Sequence, residues 1–464
     1  MIKEKQTPRQ NLMKHPASIH LLKYQRFYIP LIIIILLLIP IIANHALNEP
    51  LIQQGESYYF ISHQGNWTPW HAITNTFSLT ALAWFPLLFA LISVGLFYHC
   101  TKKWKVSKEV TFFFLFLLIL TPSFLFTYST IAMYSLITLL MLMGLSLTSS
   151  KKISLQILAI IPFSLIAFFD LYTTFLLILL QIFILIKPTK NKKTKTVRSF
   201  YIVMSVLLLI ITGTILNYPW TTGPFNLTSP GTSLISDLGG LNGVSFFLIL
   251  LGLIGFTFAW KNKRNIFAYV FVSISLLAYF FDPSTIFVLT LSIVFLASNA
   301  FIKLCKNKWT LVSLKKFTLL LLLLGLLFST LTYLERQPAF GPDSAEKEAL
   351  LWIKTNTPEN AVILAHPDDS YYIASIAERK FITAPHWNQD SIFTQITEAT
   401  YIEELFPLLE NLQVTHLYLT PKTRKELTEE QGLLFLLINE NFKLTYKHQD
   451  VEVWTFAKNG VITE

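Results

Sequence analysis

The sequence predicts a polytopic α-helical membrane protein with a C-terminal external α/β domain, and three observations predict this fold class. First, 53% of the residues are hydrophobic and the mean hydropathy is +0.52, which is too apolar for an ordinary soluble protein. Second, the apolar residues form eleven runs, each near the roughly 20 residues that a helix needs to cross a bilayer. Third, before position 335, Lys and Arg occur only in the N-terminal tail and in or beside alternate connections between those runs.

The eleven runs define a predicted membrane domain over residues 27–334, which follows a polar tail at residues 1–26. The runs lie at 27–43, 78–99, 110–127, 130–149, 153–170, 171–187, 199–216, 244–260, 265–281, 283–303 and 311–334. We expect about eleven membrane spans.

The distribution of basic residues predicts the orientation in the membrane. All 26 Lys and Arg residues before position 335 lie in the tail or in alternate loops, whereas the loops at 44–77 and 217–243 contain none. Basic loops remain in the cytosol. The N-terminus is therefore predicted to be cytosolic, and an odd number of spans places residues 335–464 outside. We expect an integral protein of the plasma membrane with an extracytosolic C-terminal domain.

The acidic residues have the opposite distribution. Residues before position 335 include 7 acidic residues and carry a net charge of +19, whereas the rest of the chain has 20 acidic and 11 basic residues. The positive charge predicts contact with anionic lipids of the inner leaflet. We expect no nucleic acid partner, because no basic patch is interleaved with exposed aromatic residues. The two cysteines lie at predicted cytosolic helix ends, so the external domain has no disulfide framework.

The segment after a linker at residues 335–341 has the pattern of an α/β domain. Strands are predicted at 361–365, 380–383, 414–420, 444–447 and 451–456, and helices at 343–355, 370–378, 400–411 and 422–439. Alternating strands and helices indicate a small sheet covered by helices.

Glu56 is the first candidate for chemistry among the few acids at the predicted external face. It lies in the motif Gly55–Tyr59 (Gly-Glu-Ser-Tyr-Tyr), just after the first predicted span. Such a carboxylate can bind a divalent metal or accept a proton, and the rings of Tyr58 and Tyr59 can stack on a sugar. This combination suits an enzyme that acts on a lipid-phosphate sugar. A simple solvated acid is the alternative.

Three further acids lie at the same predicted face. Asp237 is the only acid of the long loop 217–243, and long loops on one face of a bundle are usually functional rather than merely connecting. Asp170 lies at a tight turn, where it either caps a helix or faces a cavity as a buried ionisable group. Asp282 precedes Pro283, a common way to begin a helix, so we interpret it as structural.

Three stretches resemble archaeal relatives of the oligosaccharyltransferase catalytic subunit, which have the GT-C glycosyltransferase fold. Gly55–Tyr59 resembles the first external loop of that group, and residues 121–134 resemble the turn between its third and fourth spans. Residues 348–364 resemble the stretch that leads into the Trp-Trp-Asp-Tyr-Gly motif of the family. The resemblance in motifs covers about 60 residues. It implies transfer of a sugar from a polyprenyl-phosphate or diphosphate donor on the outer membrane face.

On the donor side, the resemblance implies a divalent metal, Mg or Mn, held partly by Glu56, with Asp170 as a further ligand. Glu56 and Asp237 are the implied catalytic residues, since the family places a mobile loop with an acid over its active site. Tyr58 and Tyr59 are expected to contact the sugar or phosphate of the donor.

On the acceptor side, Asp368 matches the motif Asp, and Tyr371 and Tyr372 match the aromatic residues after it, which implies contact with the acceptor. Arg379 is a possible second source of positive charge, and a solvated helix end is its alternative interpretation. The sequence departs from the motif at residues 366–367, where His and Pro replace the two tryptophans. We therefore do not expect transfer to Asn-x-Ser/Thr sites.

The missing family residues keep a second interpretation open. No external loop of the membrane domain contains Lys or Arg, so the charge that offsets the donor phosphate has to come from a metal or from Arg336, Arg379 or Lys380 of the external domain. A relative that has lost catalysis and acts as a scaffold or lipid-glycan binding subunit is the alternative. A transporter fits less well, because the spans contain no charged relay and no duplicated half.

Overall fold

The computed structural model describes residues 27–39, 42, 84–104, 106–129, 133–150, 152–169, 171–186, 192–215, 234–240, 243–260, 266–281, 285–337, 341–382, 390–397, 399, 401–426 and 437–456.

Helices occupy every one of the eleven apolar runs that the sequence predicts to cross the membrane. Their bounds are α1 Phe27–Ile39, α2 Phe85–Lys103, α3 Lys108–Ile119, α4 Pro122–Ser129, α5 Met133–Thr148, α6 Ile153–Leu158, α7 Ile160–Phe169, α8 Leu171–Ile186, α9 Lys192–Ile215, α10 Phe246–Trp260, α11 Ile266–Phe281, α12 Ile286–Lys306 and α13 Val312–Arg336. Their buried apolar side chains form one core that extends from Ile29 to Leu334.

Within the described residues, three of these helices are long and apolar enough to cross a membrane, namely α2, α12 and α13. The bent pair α3 and α4 makes a fourth if it counts as one span, and six further apolar helices are shorter. The helical, apolar character of this part is thus confirmed, and the number of eleven spans stays a prediction.

The predicted run 110–127 is broken rather than continuous. α3 and α4 meet at an angle of 65°. Pro122 begins α4, and it cannot continue α3 because it lacks an N–H and its ring crowds the preceding turn. The side chain of Thr121 accepts a hydrogen bond from the Phe124 amide at 3.2 Å. The Leu120 carbonyl, left at the break, accepts a hydrogen bond from the Thr330 hydroxyl of α13 at 2.7 Å.

The two ends of the helix bundle differ in chemistry. At one end, Glu109 near the start of α3 pairs with Lys306 at the end of α12, and Lys315 donates to a carbonyl in the last turn of α12. Near the opposite ends of these helices, Thr290 of α12 donates to the Ser123 hydroxyl of α4 at 3.0 Å. One end is therefore basic, and the other is lined by buried hydroxyl groups.

The C-terminal part forms a five-stranded sheet with helices on both faces. Its elements are α14 Ser344–Asn356, β1 Val362–Leu364, α15 Ser370–Tyr372, β2 Lys380–Phe381, α16 Asp390–Thr397, α17 Ile402–Asn411, β3 His416–Leu419, α18 Pro421–Glu426, β4 Phe442–His448 and β5 Val451–Phe456. The strand order is β2-β1-β3-β5-β4, in which β1 is parallel to β2 and β3, and β5 is antiparallel to β3 and β4. Alternate strand residues enter two separate cores, one on each face.

The segment after β1 departs from the helix predicted at 370–378. A 3₁₀ turn at Pro367–Asp369 leads into the single turn α15, which continues as a π-helical turn at Ile373–Ala377. Such wide turns are rare and frequently occur at functional sites. The segment lies at the carboxyl end of β1, next to the carboxyl end of the parallel strand β3, where open α/β sheets commonly bind ligands.

Candidate functional site

Four of the residues that the sequence analysis assigns to the donor side lie outside the described residues. They are Glu56, Tyr58, Tyr59 and Asp170. Asp282, which we interpreted as structural, also lies outside them. Their roles stay predictions. The described site residues fall in two groups, one at the hydroxyl-lined end of the bundle and one in the C-terminal sheet.

Asp237 lies in a short 3₁₀ turn, Ser236–Leu238, beside the first residue of α10. Its Oδ2 accepts a hydrogen bond from the Phe246 amide at 2.7 Å, and its other carboxylate oxygen accepts one from the Ser329 hydroxyl of α13. A carboxylate at a helix N-terminus is stabilised by the unpaired amides and the helix dipole. Asp237 therefore joins α10 to α13 while its side chain stays exposed to solvent.

The turn that contains Asp237 is fixed by its neighbours along the bundle end. The backbone of Ile235 forms a parallel bridge with Val244, so the residues after them, Ser236 and Ser245, lie side by side. Both serine hydroxyls are fully buried and have no hydrogen-bond partner within the described part of the chain. Buried polar groups without a protein partner are uncommon, so these two hydroxyls need an explanation.

Arg336 ends α13 at the same place. Its Nη2 donates to the Ser236 carbonyl at 2.6 Å, and its Nε donates to the Thr332 carbonyl at 3.4 Å. No carboxylate among the described residues forms an ion pair with it. The guanidinium is thus held by two carbonyl groups, one of them in the turn that carries Asp237.

The second group lies at the carboxyl ends of β1 and β3. Asp369, in the turn after β1, is only 1% exposed. Its Oδ2 accepts a hydrogen bond from the Thr420 hydroxyl at 2.7 Å, and its Oδ1 accepts one from Lys422 Nζ at 3.1 Å. Both donors follow β3 directly. Sequence reasoning had missed these three residues, although polar residues immediately after two buried parallel strands were a usable signal.

Of the acceptor-side residues that the sequence predicts, Tyr372 belongs to this group. Its ring is buried, and Lys422 Nζ lies 5.9 Å from the ring centroid. The backbone of Asp368 lies in the 3₁₀ turn and that of Tyr371 in α15, but their side chains are not described. The structure thus brings Tyr372 together with Asp369 and Lys422.

Glu346 of α14 is a buried acid near the same group. It forms a capping box with Asp343, in which the Asp343 amide donates to Glu346 Oε2 at 3.1 Å. The pKa of Glu346 is raised to about 7, chiefly because burial disfavours its charged form. The charge of Lys422 opposes this increase in pKa, whereas the charges of Asp369 and Asp343 add to it. Glu346 therefore titrates near neutral pH.

Arg379 lies at the opposite end of the strands, directly before the first residue of the edge strand β2. Its Nη2 donates to the carbonyls of Lys354 and Thr357 at 2.6 and 2.7 Å, and its Nε donates to the Thr357 hydroxyl at 3.0 Å. Burial and, secondarily, the charge of Arg379 lower the pKa of His416, the first residue of β3. The structure therefore places Arg379 as a cap on the end of α14 and does not bring it together with Tyr372.

The metal implied by the resemblance has no set of ligands among the described residues. No group of three or more His, Cys, Asp or Glu in that part of the chain could hold a metal ion. Both oxygens of Asp237 already accept hydrogen bonds from protein groups. The prediction of Mg or Mn therefore depends on Glu56 and Asp170, which lie outside the described residues.

Comparison with known proteins shows a fold similar to that of solved oligosaccharyltransferase structures. No family model matches the chain, and no curated protein matches its sequence significantly. The apo structure of the Archaeoglobus fulgidus oligosaccharyltransferase matches it with a TM-score of 0.56 and 13% identity over 85% of this chain and 70% of that one. The structure of AglB from the same organism with an inhibitory peptide and a dolichol-phosphate matches over 85% and 69%, with 11% identity and a TM-score of 0.54.

A third structure, of the Archaeoglobus fulgidus enzyme tethered to an acceptor peptide with the NVT sequon, has a TM-score of 0.50 and 12% identity. It covers 73% of this chain, and this chain spans 57% of its length. At such identities the likeness concerns the fold alone. The resemblance seen in the motifs is thereby confirmed at the level of the fold.

Proposed function

We propose that the chain is a membrane glycosyltransferase that moves a sugar from a polyprenyl-phosphate-linked donor to an acceptor on the external face. The observation that carries the proposal is the fold shared with the archaeal oligosaccharyltransferase over 85% of the chain. One of the matched structures contains a dolichol-phosphate, a lipid of the proposed class. Contact with the surrounding membrane lipids follows from the apolar helices.

The donor is proposed to bind at the hydroxyl-lined end of the bundle. Glu56 accepts the proton of the acceptor as the acceptor oxygen or nitrogen attacks the anomeric carbon of the sugar. The bond from that carbon to the phosphate oxygen breaks, and the polyprenyl phosphate leaves with the electron pair. Attack opposite the leaving group inverts the anomeric carbon. Tyr58 and Tyr59 contact the donor, and Asp237 holds the α10 end of the site in place through its bonds to Phe246 and Ser329.

The acceptor is proposed to bind at the carboxyl ends of β1 and β3, near Asp368, Tyr371 and Tyr372. The ion pair between buried Asp369 and exposed Lys422 supports this choice, because it fixes the turn next to the Tyr372 ring. His366 packs edge-on against Phe393, with 5.6 Å between the ring centroids, where the resemblance expects a tryptophan. Because His366 and Phe393 replace the expected tryptophan surface, we propose an acceptor other than the Asn-x-Ser/Thr peptide.

A second candidate function is a scaffold or lipid-glycan binding subunit that shares the fold without catalysis. The observation that favours it is the structural use of Asp237, since both of its oxygens already accept hydrogen bonds. In this alternative, Glu56 contributes nothing to transfer.

Substitution of Glu56 separates the two functions. Membranes that contain the full chain are incubated with polyprenyl-phosphate donors carrying labelled sugars, and the label that leaves the lipid fraction is measured. We expect Glu56→Gln to lower transfer by roughly 10²- to 10⁴-fold, the usual contribution of a general base. Glu49→Gln is the matched control, because Glu49 is an acid of the same predicted loop without a proposed role. Equal transfer by the Glu56 variant and the wild type would remove Glu56 from the mechanism.

A further inference from the structure

Two cations share one buried carboxylate at the end of the sheet where the acceptor is proposed to bind. Glu452 of β5 pairs in register with Leu419, the last residue of β3, and its side chain is only 6% exposed. Arg424 Nη2 of α18 lies 2.7 Å from one of its oxygens, and Lys447 Nζ of β4 lies 2.9 Å from the other. The Trp454 indole donates a further hydrogen bond to the carboxylate at 3.0 Å. Both oxygens of Glu452 are therefore committed to groups of the protein.

This cluster carries one net positive charge, because Glu452 stays charged. Burial is the largest influence on the pKa of Glu452 and raises it. The hydrogen bonds from Lys447 and Trp454 and the charge of Arg424 together outweigh burial, so the pKa is lowered. Two cations then face one carboxylate. An ion pair that only fastens α18 to the hairpin of β4 and β5 needs a single cation, so a structural role does not account for both.

Both cations reach solvent although the acid between them does not. The side chain of Arg424 is 39% exposed and that of Lys447 is 58% exposed. The structure shows one ion pair for each of them, whereas a guanidinium has five N–H donors and an ammonium has three. Asp450, an exposed acid of the hairpin turn, forms no ion pair with any described residue. Donors of both cations are thus available to an anion from solution.

The positive charge of this end differs from the charge of the C-terminal part as a whole. From residue 335 onward the chain contains 20 acidic and 11 basic residues. The same short helix α18 also carries Lys422, whose ion pair with Asp369 lies next to the proposed acceptor residues. A local positive charge on an acidic domain favours an anionic partner at that place, because the overall charge would repel it elsewhere.

We propose that Arg424 and Lys447 bind the acidic groups of the sugar acceptor and that this acceptor is an acidic polysaccharide, an inference that rests on the proposed function. The two cations contact the two oxygens of one carboxylate, so they lie close enough together to bind a single phosphate or carboxylate of a ligand. The family motif has two tryptophans where this chain has His366 and Pro367, which argues against a sequon peptide. A polymer with an acidic group in each repeating unit presents many such groups, so exposed cations of modest individual strength suffice.

Binding of polymers in the absence of a donor tests this role. The full chain in detergent is titrated with two acidic polysaccharides, polygalacturonate and phosphomannan, which carry carboxylates and phosphates respectively. Uncharged dextran, poly-glutamate and phosphatidylglycerol in the same detergent are the comparison ligands. We expect the wild type to bind at least one acidic polysaccharide more tightly than all three comparison ligands. Its affinity should fall as the salt concentration rises, because salt screens exposed charges.

Two substitutions remove the cations one at a time. Arg424→Gln and Lys447→Gln each leave one cation on Glu452, so neither creates an unpaired buried charge. Each should weaken polysaccharide binding roughly threefold to tenfold, between the effect of an exposed ion pair and that of a charge-assisted hydrogen bond. Lys354→Gln is the matched control, because Lys354 is a 41% exposed lysine that pairs with Glu378 at the opposite end of the strands. It should bind like the wild type, and thermal unfolding should show that all three variants are folded.

The possible outcomes separate this inference from the proposed function. Wild-type binding by both Arg424→Gln and Lys447→Gln would overturn the role of the two cations. A wild type that binds neither acidic polysaccharide, or that binds dextran, poly-glutamate or phosphatidylglycerol as tightly, would overturn the acceptor class. Consumption of a polyprenyl-phosphate sugar in either case would leave the proposed function intact. With the bound polysaccharide as acceptor in a transfer assay, both variants should raise its KM with little change in kcat. Binding of the polysaccharide without consumption of any donor would overturn the proposed function and, with it, the acceptor role.

Discussion

The contact between α10 and α12 leads to a prediction that can be worked out from distances. A Cβ placed on Gly255 would lie 2.2 Å from the Leu296 carbonyl oxygen and 2.6 Å from its carbonyl carbon, and both are backbone atoms that cannot rotate away. Ordinary van der Waals contact of a Cβ begins near 3.4 Å. Gly255→Ala therefore requires the two helices to separate by about 1 Å, the difference between these distances. Close packing of membrane helices generally depends on small residues where the helices cross.

We expect this separation to cost about 1–3 kcal/mol of unfolding free energy, the usual effect of overpacking a dense core. The higher helix propensity of Ala offsets up to about 1 kcal/mol of that cost. The N-terminus of α10 carries the bond between Asp237 and the Phe246 amide, so the shift should also lower sugar transfer.

Thermal unfolding of the full chain in detergent measures the effect. Gly95→Ala is the matched control, because Gly95 lies inside helix α2 and a Cβ there has no atom within 4 Å. We expect the control to melt at or slightly above the wild-type temperature and Gly255→Ala to melt several degrees lower. Equal melting temperatures for the two variants would refute the close contact of α10 with α12.

Three further predictions concern the C-terminal sheet and the orientation of the chain. Because the pKa of Glu346 is raised, its contribution to stability is fully present below the unfolded-state pKa of about 4.5 and is lost as pH rises toward about 7. Glu346→Gln can keep the capping box and should flatten the dependence of the unfolding free energy on pH between these values. An unchanged pH dependence of unfolding in this variant would contradict the prediction. Asp369→Asn and Thr420→Val should each destabilise the sheet by about 1–3 kcal/mol, and a double-mutant cycle should give a coupling free energy, whereas strict additivity would mean that the buried bond contributes nothing. Cysteine labelling tests the predicted orientation in a variant without the two native cysteines. On intact cells, Ile438→Cys should react with a membrane-impermeant maleimide and Lys308→Cys should not. The reverse pattern would place the sheet in the cytosol.

The sequence predicted the helices of the membrane part well, because an apolar run near 20 residues long has few other ways to satisfy its backbone. All eleven runs contain helix, and the two long helices α12 and α13 lie within a few residues of their predicted bounds. The break at Pro122 was missed, because residues on both sides of it are apolar and a hydropathy pattern does not show a change in the direction of the helix axis. The number of spans, the domain boundaries and the side of the membrane stay predictions.

The sheet was also predicted in its main features, since β-branched and aromatic residues mark β3 and the hairpin of β4 and β5. The helix α16 was missed, and the segment after β1 forms a 3₁₀ turn and a π-helical turn where one helix was expected.

The candidate site was harder to predict, because it depends on contacts between distant parts of the chain. Asp369 meets Thr420 and Lys422 only because β1 and β3 are neighbours in the sheet. Comparison of motifs had aligned Asp368 with the family acid and had left Asp369 without a role. In the same way, nothing in the sequence placed Arg336 beside the turn of Asp237, or placed Arg379 on the end of α14.

Sugar transfer by the purified chain tests the central proposal most directly. The full chain is reconstituted in liposomes with a series of polyprenyl-phosphate sugars and with an extract of cell-surface material as the source of acceptor, and both the remaining donor and the released polyprenyl phosphate are quantified over time. The proposal predicts that one donor is consumed, that polyprenyl phosphate appears in equal amount, and that the product sugar has the inverted anomeric configuration. If the chain binds the polyprenyl-phosphate sugars but consumes none of them, the result would contradict the proposal. That result would favour the lipid-glycan binding subunit.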